Sequence, residues 1–253
     1  MRTTAIINLK GGVAKTTTCF MLASILAGDH GKKMLVIDCD CQCNLTQFFG
    51  GDESKSNVCK VLNVGTPEYG IACIQHSNTE GVDILPASAD LMDMDLSQLR
   101  TARTKPLAFR VMLDELARRK KYDYVFFDCP PAFNAACAAA LIAANDVMIP
   151  IKLDAFSLAG MTNVLRQVQS MRRINSKLRV AGIVPTMYYK SPVIEEAEEV
   201  LRRYGFKVLP HVRRSPYADG LTFSGKALNH KGRGIEQDFR KVCNAYMGGA
   251  GND

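Results

Sequence analysis

Two lysines five residues apart bracket a glycine pair in Asn8-Leu9-Lys10-Gly11-Gly12-Val13-Ala14-Lys15-Thr16-Thr17-Thr18. The run follows a short apolar stretch and leads into a helical pattern, which predicts a loop closing on a helix N-terminus. Such a loop aims several backbone N–H groups at one point, where the helix dipole favours an anion. Glycine lets the backbone come close to that anion. Lys15 is placed to neutralise β- and γ-phosphate oxygens, and the Thr16 hydroxyl to join a magnesium shell. The strict phosphate-loop pattern G-x-x-x-x-G-K-[ST] is broken twice, by Leu9 and by Ala14.

A second stretch, Asp38-Cys39-Asp40-Cys41-Gln42-Cys43-Asn44, alternates carboxylates with thiols. It follows the apolar Met34-Leu35-Val36-Ile37, so Asp38 is expected at the carboxyl end of a strand. If the chain stays extended, Asp38, Asp40 and Gln42 share one face and Cys39, Cys41 and Cys43 the other. The first face suits magnesium and water, the second a soft metal. A thiolate site needs about four ligands, commonly with C-x2-C spacing. Here there are three, without that turn and without an evident fourth. Tyr124-Val125-Phe126-Phe127-Asp128-Cys129-Pro130-Pro131 is a third candidate, an apolar strand ending in an aspartate that can hold magnesium through water.

These residues need elements to position them. Thr3–Asn8, Met34–Asp38, Val82–Leu85, Tyr124–Asp128, Asp146–Ile151, Arg179–Val184 and Lys207–Leu209 read as strands, with helical patterns at Thr16–Ala27, Phe109–Lys120, Ser157–Ile174 and Val193–Tyr204. Nearly all-apolar strands separated by helices predict an α/β fold: one doubly wound, mostly parallel sheet of about seven or eight strands, helices on both faces. Ligands bind such sheets beyond the carboxyl ends of the strands. A last helix, Ile235–Met247, puts Ile235, Phe239, Val242, Cys243, Tyr246 and Met247 on one face. Its mixed polar face of Glu236, Asp238, Arg240 and Lys241 favours docking on the body over membrane binding.

The 253 residues suit one large domain, and no apolar run approaches the length needed to span a bilayer. No signal-peptide pattern opens the chain, which reads as cytoplasmic. Nine scattered cysteines are expected to be mostly small buried hydrophobes. The net charge of +7 is concentrated: residues 163–214 hold 11 Lys or Arg against 4 Glu, leaving 21 of each sign elsewhere.

Lys10-Gly11-Gly12-Val13-x-Lys15-Thr16-Thr17 resembles the deviant Walker A motif of the ParA/MinD family of P-loop ATPases, where glycine is usual in place of Ala14. Asp38-x-Asp40-x-Gln42-x-Asn44-x-Thr46 is similar to the family's D-x-D-P-Q-x-N-x-T segment, with Cys41 at the proline. Asp128-x-Pro130-Pro131 resembles its Walker B strand end. Further likenesses are Ile149-Pro150-Ile151 leading into Ser157-Leu158-Ala159-Gly160, then Gly182-Ile183-Val184-Pro185-Thr186-Met187, and more loosely Leu209-Pro210 with Arg214 and Ala218. The resemblance spans nearly the whole chain. It implies a single P-loop ATPase domain over residues 1–253, without an N-terminal helix-turn-helix domain, using ATP and Mg2+ with weak intrinsic activity. By this match Lys10, Gly11, Gly12, Val13, Ala14, Lys15, Thr16, Thr17, Thr186, Met187 and Pro210 bind the nucleotide, and Thr16, Asp38 and Asp128 serve the metal. Asp40 positions or activates the attacking water, and Lys10 reaches the partner's nucleotide across an ATP-sandwiched homodimer. The acidic edge of residues 38–44 is then the working one, with the cysteines packed behind it.

Three roles within the superfamily compete. An electron-donating iron protein needs cluster cysteines, and Cys129, next to the metal aspartate, should point away from the site. A MinD-like membrane-cycling positioner needs a basic amphipathic tail. The basic segment favours a ParA/Soj-like partitioning ATPase, nucleoid-associated, whose Arg172, Arg173, Arg202, Arg203, Arg213 and Arg214 bind DNA without reading sequence. A ParB/Spo-type centromere-binding protein is the partner this implies, with no membrane partner.

Overall fold

A computed structural model describes residues 1–94, 105–154, 157–216 and 234–248, with residues 157–159 defined by backbone alone. Its strands are β1 (Arg2–Ile6), β2 (Met34–Asp38), β3 (Gln75–His76), β4 (Val82–Leu85), β5 (Tyr124–Asp128), β6 (Asp146–Lys152) and β7 (Arg179–Thr186). They form one sheet in the order β3-β4-β2-β5-β1-β6-β7, parallel throughout except for β3, which runs antiparallel to β4 at one edge. The helices are α1 (Lys15–Gly28), α2 (Asn44–Phe48), α3 (Val58–Val64), α4 (Pro67–Ala72), α5 (Ala108–Arg118), α6 (Ala135–Ala143), α7 (Ser157–Met171), α8 (Pro192–Arg203) and α9 (Ile235–Gly248).

Strand alternation divides the core in two. Ile6, Val36, Ile84, Phe126, Met148 and Val184 face α1, α2 and α9. Their neighbours Ala5, Leu35, Ile37, Val125, Phe127, Val147 and Ile183 face α3 and α5 through α8. Both faces of the sheet are covered, so the middles of the central strands carry apolar side chains on both parities. The nine-residue α6, Ala-Ala-Cys-Ala-Ala-Ala-Leu-Ile-Ala, is buried all round.

The helices α2, α3, α4 and α6 were not among the helical patterns read from the sequence, and two strand details depart from expectation. The edge strand β3 was not anticipated, because Gln75-His76 is too short and polar to show an alternating pattern. Lys207–Leu209 is not a named strand. It contributes one bridge, Val208 to Ile183, with Leu209 N–H donating to the Ile183 carbonyl at 2.8 Å. Pro210 follows immediately and has no N–H to extend a ladder. Gly182 makes this approach possible, since a Cβ there would lie 2.8 Å from Leu209 and 3.2 Å from the Lys207 carbonyl oxygen.

The last helix docks on the body, as its pattern suggested. Tyr246 and Thr4 share a 2.5 Å hydroxyl hydrogen bond, and the Arg2 guanidinium lies 3.9 Å above the Tyr246 ring while donating to the Tyr246 carbonyl. Ile235, Phe239, Val242 and Cys243 are buried against α1 and the sheet, so the apolar face of α9 is spent in the core. Among the described residues no helix is long and apolar enough to cross a membrane.

Candidate active site

The carboxyl ends of β1, β2, β5 and β6 converge, and each contributes to one site. After β1 the chain enters residues 7–14. Asn8 ties this loop to β6 by donating from Nδ2 to the Pro150 carbonyl at 2.8 Å, and accepts from Lys10 N–H on Oδ1. Gly12 has φ +66°, in the left-handed region that favours glycine. Ala14 adopts the same region, with φ 63° and ψ 35°, directly before α1. Its carbonyl accepts from both the amide and the hydroxyl of Thr18, while Thr186 Oγ1 at the end of β7 donates to the Val13 carbonyl at 3.1 Å. A Cβ added at Gly11 or Gly12 would meet nothing within 4 Å, because both open onto a cavity of about 310 Å³. Lys15, Thr16 and Thr17 also line it, with Asp40, Asn44, Gln47, Phe48 and Pro131 on the far side. This is the space the sequence assigned to phosphates.

Lys15 is nearly buried and donates from Nζ to the Lys10 carbonyl at 3.1 Å. Burial lowers its pKa, and the carboxylates of Asp128 and Asp40 work against that shift. Lys10 extends elsewhere: its Nζ lies 2.9 and 2.7 Å from the two carboxylate oxygens of Asp154, just beyond β6.

Asp38 and Asp128 are register partners at the ends of β2 and β5, and both are buried. Their environments differ. Asp38 Oδ2 accepts from Thr46 N–H and Oγ1, each at 2.8 Å, and Oδ1 accepts from Asp40 N–H at 3.1 Å. Burial pushes its pKa up to about 6, with the Thr46 and Asp40 hydrogen bonds opposing the rise. Neither buried oxygen of Asp128 has a hydrogen-bond partner of good geometry. Burial and then the Asp38 charge raise its pKa well above the carboxylate range, with the nearby Thr16 hydroxyl and Lys15 opposing. A buried carboxylate without donors is costly unless a cation completes it. The residues present therefore fit a magnesium ion beside the phosphate cavity.

The chain does not stay extended through residues 38–44, which corrects the parity argument. Cys43 N–H donates to the Asp40 carbonyl and Gln42 N–H to Asp40 Oδ1, closing a turn over residues 40–43, and Cys43 takes φ 55° before α2. The result still separates acids from thiols. Asp40 lines the cavity, Gln42 is exposed, and Cys39 and Cys43 are buried in the core. Burial raises the pKa of both thiols, so they stay protonated. Among the described residues, no group of three or more His, Cys, Asp or Glu is arranged to hold a metal.

A second cavity of about 560 Å³ adjoins the first through Ala14 and Thr17, and is lined by Thr186, Met187, Tyr189, Val212 and the 213–216 segment. Thr186 and Met187 thus both line this cavity. Pro210, which the resemblance assigned to the nucleotide, lines a different cleft, between the pairing of Lys207 and Leu209 with Ile183 and the point where Val212 N–H donates to the Pro185 carbonyl. Ala218 lies outside the described residues. Of the six arginines, Arg213 is held by Asp238 through Nε and Nη2 at 2.6 and 2.9 Å, and Arg202 by Glu198 at 2.6 Å. Arg203 pairs loosely with Glu199 at 3.4 Å, and Arg172 donates to the Leu178 carbonyl. Arg173 and Arg214 are exposed, with no carboxylate partner among the described residues. Asp154, Lys152, Asn44 and Gln47 were not singled out as site residues. Lys152, the last residue of β6, and Asp154, two residues beyond it, could have been found from their place at the end of a central strand.

A family model described as an AAA domain, AAA_31, matches residues 1–180. The chromosome partitioning protein ParA of Caulobacter vibrioides is 33% identical over 213 residues, covering 82% of this chain and 78% of that protein. The chromosome-partitioning ATPase Soj of Thermus thermophilus is 34% identical over 211 residues, covering 82% and 79%. Among solved structures, cobyrinic acid a,c-diamide synthase from Mycobacterium smegmatis with bound ADP and magnesium has a TM-score of 0.80 at 28% identity, over 97% of this chain and 94% of that one.

Proposed function

This chain belongs to the ParA/MinD family of P-loop ATPases, and from that premise we propose that it is an ATP-driven DNA-partitioning protein. In this reading the Lys10–Thr17 loop binds the phosphates of ATP, with Thr186 and Met187 beside the base. Thr16, Asp38 and Asp128 hold Mg2+, which neutralises charge on the β- and γ-phosphates. Lys15 draws negative charge toward the leaving β-phosphate side. Asp40, in the cavity wall, orients the attacking water and takes its proton. The observation that carries the reading is Asp128, whose two buried oxygens lack a well-formed hydrogen bond beside Thr16 and the phosphate cavity.

Two copies close on two nucleotides in this cycle, and Lys10 exchanges Asp154 for the partner's phosphates. Arg173 and Arg214, with Arg172 and Arg203, supply a basic surface that neutralises DNA phosphates without reading bases, while Arg202 and Arg213 are already engaged by Glu198 and Asp238. Hydrolysis, stimulated by a ParB/Spo-type centromere-binding protein, releases the dimer from DNA. A membrane-cycling role is less favoured because the apolar face of α9 is already covered.

Binding to random-sequence duplex DNA, measured with ATP–Mg2+, with ADP, and for Asp40→Ala, tests this. Salt-sensitive binding with ATP that persists in the variant and is lost with ADP is expected. ATP-dependent binding to liposomes, with no DNA binding in any nucleotide state, would replace partitioning by membrane cycling.

A further inference from the structure

Away from the nucleotide site, a cleft of about 580 Å³ runs between α8 and α9 along the sheet edge beyond β7. One wall is the 208–211 segment, which is paired on one side only. Ile183 N–H donates to the Lys207 carbonyl and Leu209 N–H to the Ile183 carbonyl, both at 2.8 Å. Among the described residues, the N–H and C=O groups of Val208 and the C=O of Pro210, which alternate away from β7, have no hydrogen-bond partner.

The cations around this edge are held in place by buried carboxylates. Glu198, 8% exposed, lies 2.6 Å from Arg202 Nη2 and 2.5 Å from His211 Nε2. Asp238, 5% exposed, takes the fork of Arg213. The Tyr188 ring stacks on His211 at 3.8 Å. Each guanidinium keeps N–H donors to spare, and Lys241 stands on the α9 rim. Three permanent cations, Arg202, Arg213 and Lys241, stand against the two carboxylates of Glu198 and Asp238, an excess of one permanent positive charge. That balance suits a single carboxylate better than a phosphate dianion. Side chains already immobilised lose little entropy on binding. An unpaired strand edge is a template for another strand, which a nucleic-acid backbone without N–H groups cannot supply.

We propose that this cleft binds an extended acidic peptide segment of a partner protein, which pairs with the open N–H and C=O of Val208 and sets an Asp or Glu carboxylate against Arg202, Arg213 and Lys241. Arg213 also lines the second nucleotide-site cavity, so docking is felt there. Peptide docking itself does not depend on the nucleotide reading.

The test selects random displayed octapeptides against the full chain and measures the winners by fluorescence anisotropy. Expected winners carry Asp or Glu among β-branched residues, and binding falls at least tenfold for Lys241→Glu, whose exposed position leaves the fold intact. Arg202→Gln is a second variant with the same expectation, and Arg203→Gln, outside the cleft lining, should leave binding unchanged. Hydrogen exchange at the Val208 amide should slow when peptide binds. Failure to select any acidic peptide, equal binding by Lys241→Glu and Arg202→Gln, or a Val208 amide already protected in the free chain would each overturn the proposal. So would random-sequence duplex DNA that displaces the peptide and loses affinity with the same two variants.

Discussion

Lys10 Nζ lies within 2.9 Å of both carboxylate oxygens of Asp154, 144 residues away in the same chain. The lysine that the dimer reading sends to the partner's nucleotide is therefore held at home before any partner arrives. Both side chains are about one-third exposed, so the pair contributes about 0.2–1 kcal/mol.

Releasing that pair should favour the dimer. Two are broken per dimer, so Asp154→Asn is expected to tighten ATP-dependent association by about two- to thirtyfold. Sedimentation of the variant in an Asp40→Ala background with ATP–Mg2+ measures it, and Lys10→Ala should leave monomer nucleotide binding but no dimer. A dimer that survives Lys10→Ala refutes the trans role.

Ala14 occupies the left-handed region, where a Cβ costs about 1–2 kcal/mol and glycine carries an entropic penalty of about 0.5–1 kcal/mol. Ala14→Gly should thus gain up to about 1 kcal/mol, raising Tm by a few degrees in a chain of this size. Calorimetry reads the shift directly. A lower Tm would mean the left-handed conformation at this position is not strained.

Cys41 stands at the second position of the turn closed by Cys43 N–H and the Asp40 carbonyl, a site that proline favours. No hydrogen bond is recorded for the Cys41 N–H. Cys41→Pro should therefore be tolerated and stabilise by about 0.4–1 kcal/mol through the unfolded chain. Single-turnover hydrolysis compared with the parent shows whether a stiffer turn changes Asp40 timing. Destabilisation would show that the backbone at residue 41 is incompatible with proline.

Asp128→Asn separates folding from metal binding. It removes a buried acid whose oxygens lack a well-formed hydrogen bond, so the nucleotide-free protein should melt no lower than the parent. The rise in Tm on adding ATP and Mg2+ together, and its loss with EDTA, should be absent in the variant. A full Mg2+-dependent shift in Asp128→Asn would assign the metal to Asp38 instead.

The two adjacent arginines should behave differently. Arg213→Ala strands the buried Asp238 carboxylate and should lower the midpoint of chemical denaturation. Arg214→Ala should leave stability within about 0.5 kcal/mol and reduce the salt slope of DNA binding by about one. Equal stability losses would show that the Asp238 bridge adds nothing.

The sequence by itself determined what local chemistry encodes. Short, nearly all-apolar runs marked six of the seven strands, because a sheet covered on both faces buries both parities, and period-3.6 patterns marked α1, α5, α7, α8 and α9. Lys15, Thr16, Asp38 and Asp128 could be read because each adjoins a strand end or a helix start. The tertiary structure decided what depends on distant partners. Asp154 meeting Lys10, Asp238 capturing Arg213 and Thr46 satisfying Asp38 are contacts between groups that no periodicity relates. The turn at residues 40–43 overrode strand parity because Asp40 supplies two acceptors to its own following amides. Pro210 lines a different cleft, between two attachments to β7 that no local pattern reports, Lys207 and Leu209 at Ile183 and Val212 at Pro185.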